Sequence, residues 1–253
     1  MPLKVRIKVS TIILGLVLAN LLLYQLSTVA GLIFSLITIL GIEMYYPRLN
    51  FFGDCILDVK KAGTRKVCLS FDDGPSPHTK QILEILKEKK VRANFFFLGA
   101  NIERHPEIAQ QASKDGHQIG LHGQSHTKLH LKGSEFIRRE LGECLQTFQK
   151  YQIKYSPLFR FPHGLKNFFG VKEVERRGWK LCAWGRGVWD SKKPGVDLIV
   201  ERSLMLKAGE ILLLHDGDGT KENPDRSQTV SALPAIIDGL HAKGLEFTCL
   251  QDS

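Results

Sequence analysis

The chain has 253 residues, of which 43% are hydrophobic and 24% are charged, so it is long enough for one large domain and a short additional segment. Its formal net charge of +9 would suit nucleic acid, anionic lipid or a phosphorylated substrate. The sequence contains no dense basic run, zinc-finger spacing or stacking-aromatic motif, so we expect no nucleic-acid partner. Its five cysteines are an odd number without metal-ligand spacing, which fits a reducing compartment.

The N-terminal region differs in composition from the rest of the chain. Residues 1–9 form a basic tail, and residues 10–46 contain one acid, Glu43, and no basic residue. One membrane helix needs about 20 residues. The apolar stretch is longer than that, and its middle is its most polar part. We therefore predict a transmembrane hairpin of two short helices, about Ser10–Leu26 and about Val29–Tyr46.

Basic residues flank the apolar stretch on both sides, at Lys4, Arg6, Lys8, Arg48, Lys60 and Lys61. The positive-inside rule then places both ends of the hairpin in the cytoplasm. We therefore expect a multi-pass protein of the inner (cytoplasmic) cell membrane, with its C-terminal domain on the cytoplasmic side. The alternative is a signal peptide or a single anchor, which would place that domain outside. The apolar sequence continues well past the length of a secretory signal, which favours the hairpin.

Strand-like and helix-like segments alternate in the C-terminal domain, residues 66–253, which follows a linker at residues 47–65. Strands are predicted at Val67–Phe71, Ala93–Leu98, Gln118–Leu121, Leu158–Phe161, Leu181–Trp184, Glu210–Leu214 and Glu246–Leu250. Helices are predicted at Thr79–Lys90, Pro106–Ser113, Ser134–Tyr151, Val171–Arg177, Asp197–Leu206 and Ser227–Lys243. This alternation predicts an α/β fold with a parallel sheet, in an open or incomplete barrel. Ligands of such folds bind at the carboxyl ends of the strands.

Two neighbouring carboxylates, Asp72 and Asp73, end the first predicted strand, Val67–Phe71. Adjacent like charges repel each other, and burying an unpaired carboxylate is costly. Either a cation lies beside the pair or solvent surrounds it. A cation would let one carboxylate bind it while the other stays free as a base.

Two histidines, His122 and His126, follow the third predicted strand at a spacing of four residues. On one helical turn this spacing puts both rings on the same face. With one carboxylate they would make a three-ligand site with an open position, as catalytic zinc sites have. Either signal alone would fit solvated side chains. Both lie at strand ends, and together they favour a metal site.

Five motifs occur along the chain in the order SFDDGP, HGQSH, RFPHG, the Trp184–Asp190 segment and LLLHD. In order and approximate spacing they resemble those of the polysaccharide deacetylase family, which has the NodB-homology fold and is carbohydrate esterase family 4. The resemblance covers about Lys66 to Leu250. It implies a distorted (β/α)7 barrel that uses a divalent metal to hydrolyse N-acetyl, and sometimes O-acetyl, groups on sugars.

The resemblance also implies roles for individual residues. Asp73, His122 and His126 resemble the metal ligands, and such an N/O site suits Zn²⁺, with Co²⁺ or Ni²⁺ also possible. Asp72 resembles the general base, and Arg160 the arginine that orients it.

The leaving-group side of the reaction has its own set of residues. His215 resembles the general acid, Asp190 the carboxylate that orients it, and the backbone N–H of His163 the oxyanion donor. The sequence departs from the family pattern at Gly123, where a Ser or Thr usually braces the metal loop, and at Gly187, which replaces an acid.

Three functions fit these residues. The first is a membrane-attached deacetylase acting on an acetylated amino sugar, either polymeric (a polysaccharide or peptidoglycan) or linked to polyprenyl phosphate. The second is an inactive protein that binds a glycan or a lipid head group. The third is a metal amidase with a non-sugar substrate. The intact acids and histidines of the motifs favour the first.

Overall fold

The computed structural model describes residues 13–22, 28–45, 53–59 and 65–250. The chain divides into two compact units, Met1–Phe51 and Phe52–Ser253, and each is described by itself.

The first unit contains two helices, α1 (residues 13–22) and α2 (Thr28–Tyr45). Ser35 Oγ on α2 donates a hydrogen bond of 2.6 Å to Asn20 Oδ1 on α1, which shows that the two helices lie side by side. The turn between the two spans was predicted at about residues 27–28; α2 begins at Thr28, and residues 23–27 lie outside the described part of the chain. Within the described residues, no helix has both the length and the apolar character that crossing a bilayer requires.

The second unit is built on one sheet whose ladder pairs are all parallel. Its strands are β1 (Cys55–Ile56), β2 (Lys66–Asp72), β3 (Asn94–Phe97), β4 (Gln118–Leu121), β5 (Leu158–Phe159), β6 (Lys180–Cys182), β7 (Arg186–Gly187), β8 (Ile211–His215) and β9 (Glu246–Phe247). Their order is β1-β6-β5-β4-β3-β2-β8-β7, with β9 paired to β2.

The sheet is strongly curled. β6 pairs with β5, whereas β7, a few residues later in the chain, pairs with β8 at the far end of the strand order. One short segment can join both ends only if the sheet bends round on itself. The prediction of an α/β fold with a parallel sheet is thereby confirmed, in the form of a curled half-barrel.

Each of the seven predicted strands is present, and two strands were not predicted. β1 and β7 have two residues each, too few for any periodicity to be visible in the sequence. β1 lies inside residues 47–65, which were predicted to be a linker, and it pairs with β6. In addition, the Val59 N–H donates to the Gly209 carbonyl, 2.7 Å away. This part of the predicted linker therefore belongs to the folded unit.

Helices cover the outer face of the sheet: α3 (Pro77–Glu88), α4 (Gly99–Arg104), α5 (Pro106–Lys114), α6 (Ser134–Lys150), α7 (Phe168–Arg176), α8 (Val196–Leu204) and α9 (Ser227–Ala242). The loop after β2 passes directly into α3, where Ser76 and Thr79 form a reciprocal capping box and Pro77 begins the helix. The chain that carries the two acids is thus fixed at both ends.

Side chains alternate between the two faces of each strand, so the sheet has one apolar layer on each face. Phe71 and Phe95 belong to the layer under the helices, and their rings stack with centroids 5.1 Å apart. Cys68, Phe96 and Ile211 belong to a smaller cluster on the other face, inside the curl. Because successive side chains of a strand point to opposite faces, the parity of each residue decides which layer it enters.

Candidate active site

On two adjacent strands, β2 and β8, the alternation of side chains between the two faces directs polar residues into the curl. On β2, Asp72 is two positions beyond Ser70 and four beyond Cys68, which lies inside. On β8, His215 is four positions beyond Ile211, which also lies inside. Asp72 and His215 are register partners on adjacent strands. The sequence therefore brings the predicted base and the predicted acid to the same end of the same face.

The three predicted metal ligands converge at this end of the sheet. Asp73 Oδ1 lies 3.4 Å from His122 Nε2 and 3.0 Å from His126 Nε2. One ligand atom from each residue falls within 4.8 Å of the others. A divalent cation needs this kind of closely spaced set of carboxylate oxygen and imidazole nitrogen.

Among the described residues, one carboxylate oxygen of Asp73 has no hydrogen-bond donor, whereas the other polar atoms of this residue that are described below do. Its Oδ2 accepts a hydrogen bond from the Gly219 N–H at 3.0 Å, and its carbonyl accepts one from Asn101 Nδ2 at 2.7 Å. Its Oδ1 is buried and accepts no hydrogen bond among the described residues, since neither imidazole donates to it with hydrogen-bond geometry. A buried oxygen left without a donor is costly, and a metal ion would satisfy it.

The first histidine is held in the tautomer that a metal requires. His122 Nδ1 lies 2.8 Å from the carbonyl oxygen of Arg160. A carbonyl can only accept, so Nδ1 carries the proton, and in the neutral ring Nε2 keeps its lone pair toward Asp73.

Protons and a cation compete for these groups. Burial alone would raise the pKa of Asp73, but the two imidazoles outweigh it and hold that pKa well below its usual range. Burial lowers the pKa of His122, but the carboxylates of Asp72 and Asp73 outweigh it, and the net shift is upward. Metal binding would therefore release protons from the site and weaken at low pH.

The two histidines meet through a loop and not through a helical turn, which corrects the sequence interpretation. Residues 122–126 are not helical. Gly123 has φ 92° and His126 has φ 58°, and these two left-handed residues turn the loop so that both rings face Asp73. The two histidines predicted to lie together do so, but through the conformation of a loop and not through their spacing on a helix.

Glu140 braces this loop, a role that was not predicted from the sequence. Its Oε1 accepts hydrogen bonds from Gln124 N at 3.0 Å, Ser125 N at 2.6 Å and Ser125 Oγ at 2.9 Å. A Cβ at Gly123 would meet the same oxygen at 3.4 Å. The carboxylate of α6 thus occupies the space beside the position where the family usually has a bracing hydroxyl. Its position on the apolar face of α6, three residues after Ile137 and four before Cys144, was the signal available in the sequence.

Arg160 anchors the second acid, Asp72. Its Nη1 donates to Asp72 Oδ1 at 2.7 Å and to Ser70 Oγ at 2.9 Å, and its Nη2 donates to the Ala183 carbonyl at 2.9 Å. The guanidinium is fully buried and lies over the ring of Phe96, 4.0 Å from its centroid. The other oxygen, Asp72 Oδ2, lies 3.9 Å from His122 Nε2 and therefore faces the three predicted metal ligands.

His215 and Asp190 form a second pair on the other side of Asp72. His215 Nδ1 lies 2.9 Å from Asp190 Oδ1, and the His215 N–H donates to Oδ2 of the same carboxylate at 2.8 Å. Thr229 Oγ1 also donates to Oδ2, at 2.9 Å. Burial disfavours the imidazolium, but the Asp190 carboxylate outweighs it and raises the pKa of His215 to about 9. The ring is thus charged at neutral pH and has Nε2 available as a proton donor.

His163 and Trp189 lie at the edge of the group of predicted catalytic and metal-binding side chains. His163 lies in the 3₁₀ turn Pro162–Gly164 with φ 61°, and its ring centroid is 4.3 Å from that of His126. Trp189 has φ 63° and is 57% exposed, directly before the buried Asp190. The eight predicted site residues therefore all lie in or beside one cluster.

The chain matches known proteins over most of its second unit. The family model described as polysaccharide deacetylase matches residues 59–180. A peptidoglycan-N-acetylglucosamine deacetylase of Bacillus cereus is 34% identical over 190 residues, which are 74% of this chain and 86% of the relative. A chitooligosaccharide deacetylase of Rhizobium leguminosarum bv. trifolii is 33% identical over 213 residues, 80% of this chain and 98% of the relative.

Solved structures agree with these matches. The peptidoglycan N-acetylglucosamine deacetylase Bc1960, in complex with an N-oxidanyl-benzamide, has TM-score 0.72 and 27% identity, covering 78% of this chain and 90% of that one. A family 4 carbohydrate esterase from Streptomyces lividans, in complex with acetate, has TM-score 0.67 and 26% identity, covering 73% and 92%. The chain therefore belongs to the polysaccharide deacetylase family of hydrolases.

Proposed function

We propose that this chain is a metal-dependent deacetylase that hydrolyses the N-acetyl group of an amino sugar. The observation that carries the proposal is the buried Asp73 Oδ1, which has no hydrogen bond among the described residues and faces the Nε2 atoms of His122 and His126. On either side of it lie an arginine-paired carboxylate, Asp72, and a carboxylate-paired imidazole, His215. A metal site flanked by one base and one acid is suited to hydrolysing an amide.

The residues divide the reaction between them. Asp73, His122 and His126 would hold the divalent cation, which we propose is Zn²⁺ with Co²⁺ or Ni²⁺ as substitutes. It would supply polarisation of the acetyl carbonyl and a lowered pKa of water. Because Arg160 occupies Asp72 Oδ1, the other oxygen, Oδ2, is the atom that takes the proton from the attacking water.

The leaving amine needs a proton of its own. Because Asp190 occupies His215 Nδ1, the ring donates this proton from Nε2. The backbone N–H of His163, in the turn beside His126, is our candidate donor to the oxyanion.

We infer the substrate class from the named relatives. One acts on peptidoglycan N-acetylglucosamine and another on chitooligosaccharides, so an oligosaccharide or polymer containing N-acetylglucosamine is the substrate to test first. An acetamido sugar linked to polyprenyl phosphate is the second class. Its phosphate would suit the net charge of +9.

A substrate panel tests the proposed activity. The full chain with Zn²⁺ is incubated with N-acetylglucosamine oligomers, peptidoglycan fragments and small cyclic amides, and release of free amine is measured. We expect amine from a sugar substrate, and loss of that activity in Asp72→Asn but not in Asp197→Asn, an exposed acid on α8. Metal retention without amine release from any acetylated sugar would contradict it and favour a glycan-binding or lipid-head-group-binding protein. Hydrolysis confined to the cyclic amides would identify a non-sugar amidase.

We also propose that the N-terminal unit attaches the chain to the inner cell membrane, with the catalytic unit on the cytoplasmic side. The support is the composition of residues 10–46 and the exposure of apolar side chains on both helices, such as Leu22 (66%) and Val29 (65%). Alkaline carbonate extraction of cells should leave the full chain in the pellet. Protease added to intact spheroplasts should spare the catalytic unit. Release by carbonate would contradict attachment, and digestion in intact spheroplasts would contradict the orientation.

A further inference from the structure

A short segment at the start of α4, residues 98–101, is hydrogen-bonded to the loops that carry the predicted metal ligands. The Leu98 N–H donates to the carbonyl of Gly74, directly after the two acids of β2, at 2.9 Å. The N–H groups of the next two residues donate to the carbonyls of Gly123 and Gln124, both at 3.0 Å. These two carbonyls belong to the loop that joins the two histidines. The segment therefore connects the carboxylate loop to the histidine loop.

The last residue of this segment, Asn101, reaches a third loop, which follows β8. Asn101 is buried, and its Nδ2 donates to the carbonyl of Asp73 at 2.7 Å and to the carbonyl of Gly219 at 2.8 Å. The Gly219 N–H in turn donates to Asp73 Oδ2 at 3.0 Å. One amide group thus holds both the donor residue and the acceptor residue of the hydrogen bond that orients the Asp73 carboxylate.

The orientation of the Asn101 amide is fixed by a neighbouring arginine. Arg104 Nη1 donates to Asn101 Oδ1 at 2.8 Å and to the carbonyl of Thr220, also at 2.8 Å. A guanidinium can only donate a hydrogen bond, and a carbonyl can only accept one. The amide therefore has its oxygen toward Arg104 and its nitrogen toward Asp73 and Gly219, and the reversed orientation would put like groups together on both sides.

The backbone of Asp73 has a conformation that needs support. Its φ is 76°, in the left-handed region that residues with a side chain seldom adopt. The loop after β8 packs directly against it, since a Cβ at Gly217 would clash with the Asp73 carbonyl oxygen. Asn101 donates to that same carbonyl oxygen. The position of Asp73 is therefore determined by its neighbours from α4 and from the β8 loop.

We propose that Asn101 is a positioning residue for the metal site, which holds Asp73 so that Oδ1 alone is left for a cation. Because Asp73 Oδ2 accepts from Gly219, only Oδ1 is without a donor among the described residues, and it faces the two imidazoles. Without the Asn101 amide, the Gly219 N–H is no longer held against Oδ2, and the carboxylate is free to turn. This inference rests on the proposed metal-dependent function.

Zinc affinity tests the positioning role on the full chain, by competition with a chelating dye. Asn101→Leu removes both donated hydrogen bonds at similar side-chain volume, and we expect the affinity to fall by about 10–100-fold, the usual effect of losing a residue that supports a metal ligand. Arg104→Met, at an exposed position, should lower the affinity by a smaller factor because it only loosens the amide. The matched control is Arg138→Met, an exposed arginine on α6, which should leave the affinity unchanged.

The absorption spectrum of bound Co²⁺ gives a second measurement that does not depend on activity. The visible bands of Co²⁺ weaken as its coordination number rises, so they report the number of ligands. When Asp73 Oδ2 is released from Gly219, both oxygens of the carboxylate become available. At saturating Co²⁺ we therefore expect weaker bands in Asn101→Leu than in the intact chain, and unchanged bands in Arg138→Met.

A purely structural role for Asn101 predicts a different result. It would lower the free energy of unfolding of the metal-free chain, measured by chemical denaturation, and leave the metal site of the folded protein as it is. Unchanged zinc affinity, or unchanged Co²⁺ bands, in folded Asn101→Leu would therefore overturn the proposal. Should Asn101→Leu fail to fold, Arg104→Met decides, and an affinity equal to that of Arg138→Met would overturn the proposal.

Failure of this inference can be told apart from failure of the proposed function. Zinc bound by the intact chain and equally by the Asn101 and Arg104 variants would overturn only the positioning role. An intact chain that binds no zinc would overturn the metal-dependent function and the positioning role with it.

Discussion

Arg160 and Asp72 form a buried ion pair, with Nη1 2.7 Å from Oδ1 and the two side chains 0% and 5% exposed. The pair lies inside the curl of the sheet, where neither charge reaches bulk water. Removing one partner would leave the other charged and alone, whereas removing both would leave only a polar cavity. The pair thus links the stability of the curl to the position of the predicted base.

Arg160→Ala should therefore destabilise the fold by about 3–5 kcal/mol, the usual cost of leaving one member of a buried pair unpaired. Chemical denaturation measures this free energy of unfolding. The double variant Arg160→Ala, Asp72→Ala should cost less than the sum of the two single variants, because it leaves no isolated charge. Strict additivity of the two substitutions would contradict the coupling.

Asp72→Asn should lower turnover by roughly 10²–10⁴-fold, the range for one positioned proton-transfer group. The amide keeps the shape of the carboxylate and can still accept from Arg160, so the fold and the metal content should be retained. Metal content measured on the same preparation is the control. A variant that keeps full turnover would show that Asp72 is not the base.

The pH dependence should report on His215. Its pKa is raised from 6.5 to about 9, so the imidazolium persists through neutral pH and is lost as the pH rises through about 9. Activity on an amide should therefore fall on the alkaline side near that pH. The stability from the pair with Asp190 should be complete below about pH 6.5 and should disappear toward pH 9. In Asp190→Asn the alkaline limb should move to lower pH, and an unmoved limb would contradict the pairing.

His215→Ala gives an independent test of the leaving-group role. It should reduce hydrolysis of amides more than hydrolysis of activated acetate esters, whose leaving groups need no proton. Equal losses on both substrates, with fold and metal intact, would show that His215 is not the acid.

Glu140→Ala should weaken metal binding by about 10–100-fold, the usual effect of removing a residue that supports metal ligands. The loop between His122 and His126 would lose three hydrogen bonds and with them the geometry that aims both rings at Asp73. Zinc affinity measured by competition with a chelating dye reports this. Glu143→Ala, on the same helix and 50% exposed, is the matched control. Equal affinities for the two variants would contradict the bracing role.

The sequence predicted the site better than it predicted the loops that build it. Strand ends were visible because the apolar runs end at polar residues, and in a parallel sheet those ends share one edge. Asp73 and His122 could therefore be placed together before any geometry was known. Asp72 and His215 point into the curl because each lies an even number of residues from an inward-facing side chain on its own strand, Cys68 and Ile211.

What the sequence did not indicate is backbone conformation and long-range support. Gly123 and His126 have positive φ values that their spacing does not reveal, so a spacing of four residues was mistaken for a helical turn. The periodicity of α6 puts Glu140 on the apolar face, but it does not show that this acid accepts hydrogen bonds from the loop between His122 and His126. The two-residue strand β1 exists only because β6 is there to pair with it.

Metal-dependent release of amine tests the central claim most directly. The full chain is stripped of metal with a chelator and assayed on an N-acetylglucosamine oligomer before and after addition of Zn²⁺. Bound zinc is measured in parallel. Both measurements are made on the intact chain, on the double variant His122→Ala with His126→Ala, and on the exposed control His241→Ala. We expect activity to return as zinc binds at one ion per chain in the intact protein and in the control, with neither zinc nor activity in the double variant. Full zinc binding in the double variant, or undiminished amine release by the stripped chain, would contradict the account.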